Sequence, residues 1–286
     1  MAFAFFFAAA AAYTGLADGL IGLTRGQDYT NAVNTGRVDS NGAGPRVLVT
    51  GATGRTGAIL YQLLKADGRV AEVRALVRNL TKAREVLGCV RCDASEGIYV
   101  GDVTNLSSLL VPARGIDTLA IAAAVGFHAS EEVMKAVEFL GVENQAAALA
   151  AGRRAGVALS SLRVLLVSSA GTTVPNPPPY TGGKILFWKL NAEAALGYSG
   201  MGAVVIKPCG LVDGPAGAAP LGTGFDDNLP SAEFTVSRAD VAAVLAEAIV
   251  ERAAGLRFAL CNGKKGSAPT TDLAALLKGA RRPWAQ

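Results

Sequence analysis

The stretch Val47-Leu48-Val49-Thr50-Gly51-Ala52-Thr53-Gly54-Arg55-Thr56-Gly57 constrains this chain more than any other. Val47 to Val49 are β-branched or apolar and suit a central strand. Glycines then recur at 51, 54 and 57. Gly51 can take backbone angles closed to other residues. Gly54 lets the main chain approach a diphosphate, and Gly57 lets a helix pack closely on the sheet. Ala58-Ile59-Leu60-Tyr61-Gln62-Leu63-Leu64-Lys65 continues at helical spacing. A helix starting here offers free N–H groups and a positive dipole end to phosphate. A glycine triplet alone also makes a tight structural turn. Between a strand and a helix it reads as a dinucleotide loop, with Gly51, Thr53, Gly54, Arg55, Thr56 and Gly57 as its candidate contacts.

From Pro45 onward strands and helices alternate. Strands are expected at 71–77, 98–100, 118–123, 162–167 and 203–207, with helices at 79–87, 131–155 and 185–196. In the long helix, Val133, Val137, Leu140, Ala147 and Leu149 are the expected buried positions. Past Pro208 a loop through 210–229 leads to a short strand at 234–236, a helix at 238–251, a strand at 256–261 and a helix at 272–277. This alternation predicts an α/β fold, a Rossmann-type doubly wound parallel sheet with a small C-terminal substrate-side lobe.

After the second strand of such a fold, an acidic side chain accepts the ribose hydroxyls of NAD, whereas an arginine matches a 2′-phosphate. Here the strand ends Ala75-Leu76-Val77-Arg78-Asn79, with no acid. Arg78 can pair bidentately with phosphate, and Arg55 adds a second cation, so NADP(H) is expected ahead of NAD(H). The plain alternative for Arg78 is a solvated charge. Asp102 ends the third strand, where a carboxylate either accepts from the adenine amino group or caps the following helix.

Together, Thr50–Gly57, Ala75–Asn79 and Gly101-Asp102-Val103-Thr104 resemble the atypical short-chain dehydrogenase/reductases with NmrA-like domains, among them plant and algal plastid proteins. Gly141-Val142-Glu143-Asn144-Gln145, Val167-Ser168-Ser169-Ala170-Gly171, Ile185–Glu193 and Ser237-Arg238-Ala239-Asp240-Val241-Ala242 extend the match, which spans about residues 45–278. The resemblance implies cofactor contacts at Asp102, Val103, Ala122, Ala123, Lys189 and Pro208. It implies that Ser169 orients a substrate carbonyl. Its enzymes use a tyrosine as proton donor and a lysine four residues later, which favours the phenolate and binds ribose. Tyr180 and Lys184 have that spacing. However, the family lysine precedes a glutamate by four residues, as Lys189 precedes Glu193, and this puts Ile185 at the tyrosine position. Either Tyr180 and Lys184 act from one turn upstream, or the tyrosine is missing. The resemblance therefore implies an oxidoreductase on a small carbonyl or quinone-like substrate, or a non-catalytic NADP(H)-binding subunit or assembly factor of a thylakoid membrane complex. Either implies a chloroplast location, with a cytoplasmic one as the alternative.

The chain divides at residues 1–43 and 44–286. Met1 to Ala17 are almost all apolar; Asp18 interrupts, and the apolar run resumes to Leu23. The span is near the roughly 20 residues a membrane helix needs, with a charge that counts against a clean crossing. No positive charge precedes it, against a secretory signal. Residues 1–23 read as a targeting remnant, a membrane anchor or an arm buried in a membrane-protein partner, and 24–43 as a linker. A net charge of +4 without a basic run gives nucleic-acid binding no support. A single histidine, His128, argues against His-rich metal sites and against a Ser-His-Asp hydrolase. It sits at the cleft mouth, either as a substrate contact or as a helix-start residue. Four cysteines in 286 residues do not suggest a disulfide framework. Cys89-Val90-Arg91-Cys92 has redox spacing but lies after a helix, where two ordinary cysteines are the simpler reading.

Overall fold

A computed structural model describes residues 44–174, 184–228 and 234–282. The expected apolar arm and linker at 1–43, and Tyr180 with its proline-rich approach, lie outside these residues. The chain opens with β1 (Arg46–Thr50), α1 (Arg55–Ala66), β2 (Glu72–Val77), α2 (Leu80–Leu87), β3 (Ile98–Val100), α3 (Leu110–Ala113) and β4 (Thr118–Ile121). Next come α4 (Glu131–Met134), a π-helical turn (Lys135–Leu140), α5 (Gly141–Gly152), β5 (Arg163–Val167), α6 (Lys184–Gly197) and β6 (Gly202–Pro208). The last part holds β7 (Gly210–Val212), β8 (Leu221–Gly224), β9 (Thr235–Ser237), α7 (Arg238–Val250), β10 (Leu256–Asn262) and α8 (Leu273–Gly279).

Eight strands form one sheet in the order β3-β2-β1-β4-β5-β6-β10-β8, and β7 pairs with β9 beside it. All neighbours in the large sheet run parallel except β8, which is antiparallel to β10. Parallel strands need crossovers, so helices cover both faces and the strands read as apolar runs. On one face α1 and α7 pack through Leu60, Leu64, Val241 and Leu245. On the other, α5 and α6 pack through Val142, Leu149, Ala192 and Leu196. The strand order reverses direction between β1 and β4, which opens a crevice at the carboxyl ends of these strands.

The expected long helix exists, with one correction. It contains a π turn, and the face that points inward is not the expected one. Val133 and Leu140 are exposed at 45% and 40%, while Met134 and Glu138 are buried. Two strands also stand where a loop was expected. Neither Gly210-Leu211-Val212 nor Leu221-Gly222-Thr223-Gly224 has strand periodicity; pairing to β9 and β10 makes them strands.

The four cysteines are also paired, against expectation. Cys89 bonds Cys92 and Cys209 bonds Cys261, with Cα atoms 5.0 and 5.2 Å apart. The Cys89 and Cys92 sulfurs lie with a Glu96 oxygen inside 4.8 Å, but sulfurs bonded to each other offer no thiolate to a metal. Among the described residues, no helix is long and apolar enough to cross a membrane.

Candidate functional site

The crevice begins where β1 stops. Gly51 turns at φ +68, and its carbonyl accepts the Gly54 N–H at 2.8 Å. A Cβ on Gly51 would meet the Ala122 backbone at 2.5 Å, and one on Gly57 would meet Gly51 O at 2.2 Å. These two glycines are thus fixed by packing, and Ala122 and Ala123 form the wall that Gly51 touches. Gly54 differs: its Cβ would touch only Gly51 O, at 3.0 Å, and otherwise face open space. Asn79, Ser130, Ser237 and Asp272 cap α2, α4, α7 and α8 with their side chains. Gly54 gives α1 no such cap. Among the described residues no side chain caps the N–H groups of the first turn, and they lie beside an open cradle. This donor set fits the diphosphate of a dinucleotide.

Thr53 is half-buried on the loop and Thr56 is buried at the helix start. Beneath them, Thr50 donates to Gln145 Oε1 at 2.6 Å, and Gln145 Nε2 donates to the Gly141 carbonyl at 2.8 Å. Gln145 thereby ties the glycine turn to α5. Arg55 is exposed, with Asp213 3.7 Å away; Asp213 also accepts from Arg238 at 2.6 Å.

Arg78 is exposed at the end of β2, as a phosphate contact requires. Asp102 Oδ1 accepts from the Thr104 N–H and hydroxyl at 2.9 and 2.7 Å, while the following helical turn, Leu106–Leu109, is capped by Asn105 and not by Asp102. The Thr104 N–H, chiefly, and the charge of Arg78 hold its carboxyl below the usual range, against partial burial. Val103 is buried, and its carbonyl accepts from Asn144 at 3.0 Å, which accounts for the asparagine of the Gly-x-x-Asn segment.

Across the crevice, Lys189 is buried, and its Nζ donates to Glu138 Oε2 at 2.7 Å. Glu138 Oε1 accepts the Val125 N–H at 2.8 Å. Lys184 is exposed and paired with Glu131. Ile185, expected at the tyrosine position in the Lys189–Glu193 register, is 4% exposed and packs with Met134 and Leu186. Ser169 is half-buried and donates to the Ala170 carbonyl at 2.9 Å. Pro208 is buried, its carbonyl taking the Ala170 N–H at 2.9 Å. His128 is exposed on the segment after β4.

Two further carboxylates hold the loop that carries Ser169. Asp227 accepts the Gly171 and Thr173 N–H groups at 2.7 and 2.8 Å, and Lys207 Nζ at 2.9 Å. Burial pushes its carboxyl up, but hydrogen bonds from Thr173, Lys207 and Gly171 outweigh this and hold it low. Glu193 accepts from Ser168 and Thr172 on one oxygen and from Arg257 on the other. Sequence reasoning missed Glu138, Asp227 and Lys207. The available signal was an acid or a lysine inside an apolar run, as in Val137-Glu138-Phe139-Leu140 and Val205-Ile206-Lys207-Pro208.

The comparisons with known proteins agree with this geometry. The sequence model of the NAD(P)H-binding family matches residues 51–252. An uncharacterized chloroplastic protein of Arabidopsis thaliana is 33% identical over 252 residues, covering 80% of this chain and 74% of that one. Sanguinarine reductase of Eschscholzia californica is 27% identical over 277 residues, covering 83% of this chain and 97% of the enzyme. A putative NAD-dependent epimerase/dehydratase from Bacillus halodurans superimposes with a TM-score of 0.63 at 23% identity, over 82% of this chain and all of that one, and speaks for the fold. The chain belongs to the NAD(P)H-binding family, as an atypical short-chain dehydrogenase/reductase of Rossmann-type fold.

Proposed function

We propose that this protein is an NADP(H)-dependent reductase of a small carbonyl or quinone-like substrate, working in the plastid. The observation that carries the reading is the open cradle at Gly54 before an uncapped helix, with Arg78 where an NAD-binding acid would stand. The match to a reductase of similar length and the chloroplastic relative support it. Arg78, with Arg55, recognises the 2′-phosphate, and the first-turn N–H groups of α1 hold the diphosphate. Val103, Ala122 and Ala123 line the adenosine side, and Pro208 the nicotinamide side. Lys189 binds the nicotinamide ribose. A bound nicotinamide supplies the hydride for a carbonyl carbon. Ser169 orients the carbonyl oxygen, and Tyr180 is the candidate that protonates it, because Ile185 has no proton to give.

That isoleucine favours a second reading: an NADP(H)-binding subunit or assembly factor without turnover, tethered to a membrane complex by residues 1–23. NADPH oxidation over a carbonyl and quinone panel, with Tyr180→Phe and Lys189→Ala beside the wild type, separates the two. Turnover lost in Tyr180→Phe supports the reductase. NADPH binding without turnover on the whole panel supports the subunit, and absence of dinucleotide binding sinks both. Deleting residues 1–23 tests the tether, since unchanged membrane association removes it.

A further inference from the structure

Glu138 is a carboxylate 3% exposed on a helix face built for apolar packing. It lies within the π turn Lys135–Leu140. The apolar Val133 and Leu140 on the same helical segment are exposed, and the inward position is given to an acid. Stability does not explain this. A buried ion pair is commonly no better than apolar residues of the same volume, because two charges lose their water. π turns of this kind are frequent at functional sites.

The two oxygens of Glu138 join parts of the crevice that are distant in sequence. Oε2 takes the Lys189 ammonium from α6. Oε1 takes the Val125 N–H, three residues after the Ala122 carbonyl that abuts Gly51. One carboxylate thus sets the lysine against the same segment that walls the glycine turn.

We propose that Glu138 is the positioning residue for Lys189: it aims the ammonium at the cofactor ribose and fixes its distance from the post-β4 wall. This rests on the reading that the chain binds NADP(H) with Lys189 on the ribose. Glu138 acts through the lysine, so the two side chains must behave as one unit.

The test is a double-mutant cycle on the full chain, read as the NADPH dissociation constant by fluorescence titration. Lys189→Met and Glu138→Gln should each weaken binding about tenfold, the scale of one charge-assisted hydrogen bond. The double variant should bind as Lys189→Met does, and Glu138→Asp should regain most of the affinity. Wild-type affinity in Glu138→Gln, or additive losses in the double variant, would overturn the proposal. If Glu138→Gln does not fold, the double variant, which leaves no lone buried charge, decides: equality with Lys189→Met supports the proposal, while a further loss or a return to wild-type affinity overturns it. A wild type that fails to bind NADPH removes the underlying reading, an outcome distinct from wild-type binding with an unaffected Glu138→Gln.

Discussion

A methyl group on Gly51 would lie 2.5 Å from the Ala122 backbone, at a φ of +68 that L residues rarely adopt. The same methyl on Gly54 would meet one carbonyl oxygen at 3.0 Å and then open space. The two positions should therefore fail differently. Gly51→Ala should cost about 2–4 kcal/mol, from left-handed strain plus a backbone clash, seen as a lower midpoint in urea. Gly54→Ala should stay within about 1 kcal/mol of the wild type yet lose about tenfold or more in NADPH affinity, because its methyl occupies the cradle. In the proposed function Arg78 carries the choice of cofactor. It is exposed, so Arg78→Ala should leave the melting temperature unchanged. NADPH binding should fall about 10- to 100-fold while NADH binding holds, since only NADPH has the phosphate that pairs with a guanidinium.

At the scale of elements, the loop after β5 is held by Asp227, whose carboxyl is kept below its ordinary range by Thr173, Lys207 and Gly171 despite burial. Asp226 beside it is lowered to about 2, chiefly by the Arg282 side chain. A carboxylate depressed in the native state adds stability above its unfolded pKa of about 4, and that stability is lost as pH falls through the lower native value. Stability should thus drop on acidification below about pH 4, and Asp227→Asn should flatten the dependence. At pH 7 that variant should lose about 3 kcal/mol, because it leaves Lys207 buried and unpaired. Denaturant titrations at pH 3 and pH 7 measure both effects. These contacts also show where the sequence stopped being readable. The glycine loop, Arg78 and the alternating strands are local patterns, so periodicity and spacing found them. Glu138 and Lys189 are 51 residues apart, and Asp227 and Gly171 are 56 apart. A pairing at that range leaves no mark in any window. Periodicity also chose the wrong face along the long helix, where Val133 and Leu140 stand outward and Glu138 inward. β7 and β8 were missed because strand character there comes from partners, not from side chains.

Across the whole molecule, the Cys209–Cys261 bond joins the end of β6 to β10 over a separation of 52 residues. Both cysteines are buried, and Cys209 follows Pro208. Replacing both with alanine should cost about 2–4 kcal/mol, through the freedom returned to the unfolded chain, while the Cys89–Cys92 bond, with a separation of 3, should matter less. Guanidinium melts of the two double variants check this order. The fold brings an open dinucleotide cradle to the crevice, while the resemblance leaves two registers for the proton donor, one of which puts Ile185 at its position. Binding and catalysis are therefore separate questions, and binding is the central claim. Calorimetric titration of the full chain with NADPH and with NADH tests it most directly. NADPH should bind at least about tenfold more tightly than NADH, as expected for one arginine–phosphate pair. Equal or tighter binding of NADH, or no binding of either, would contradict the account.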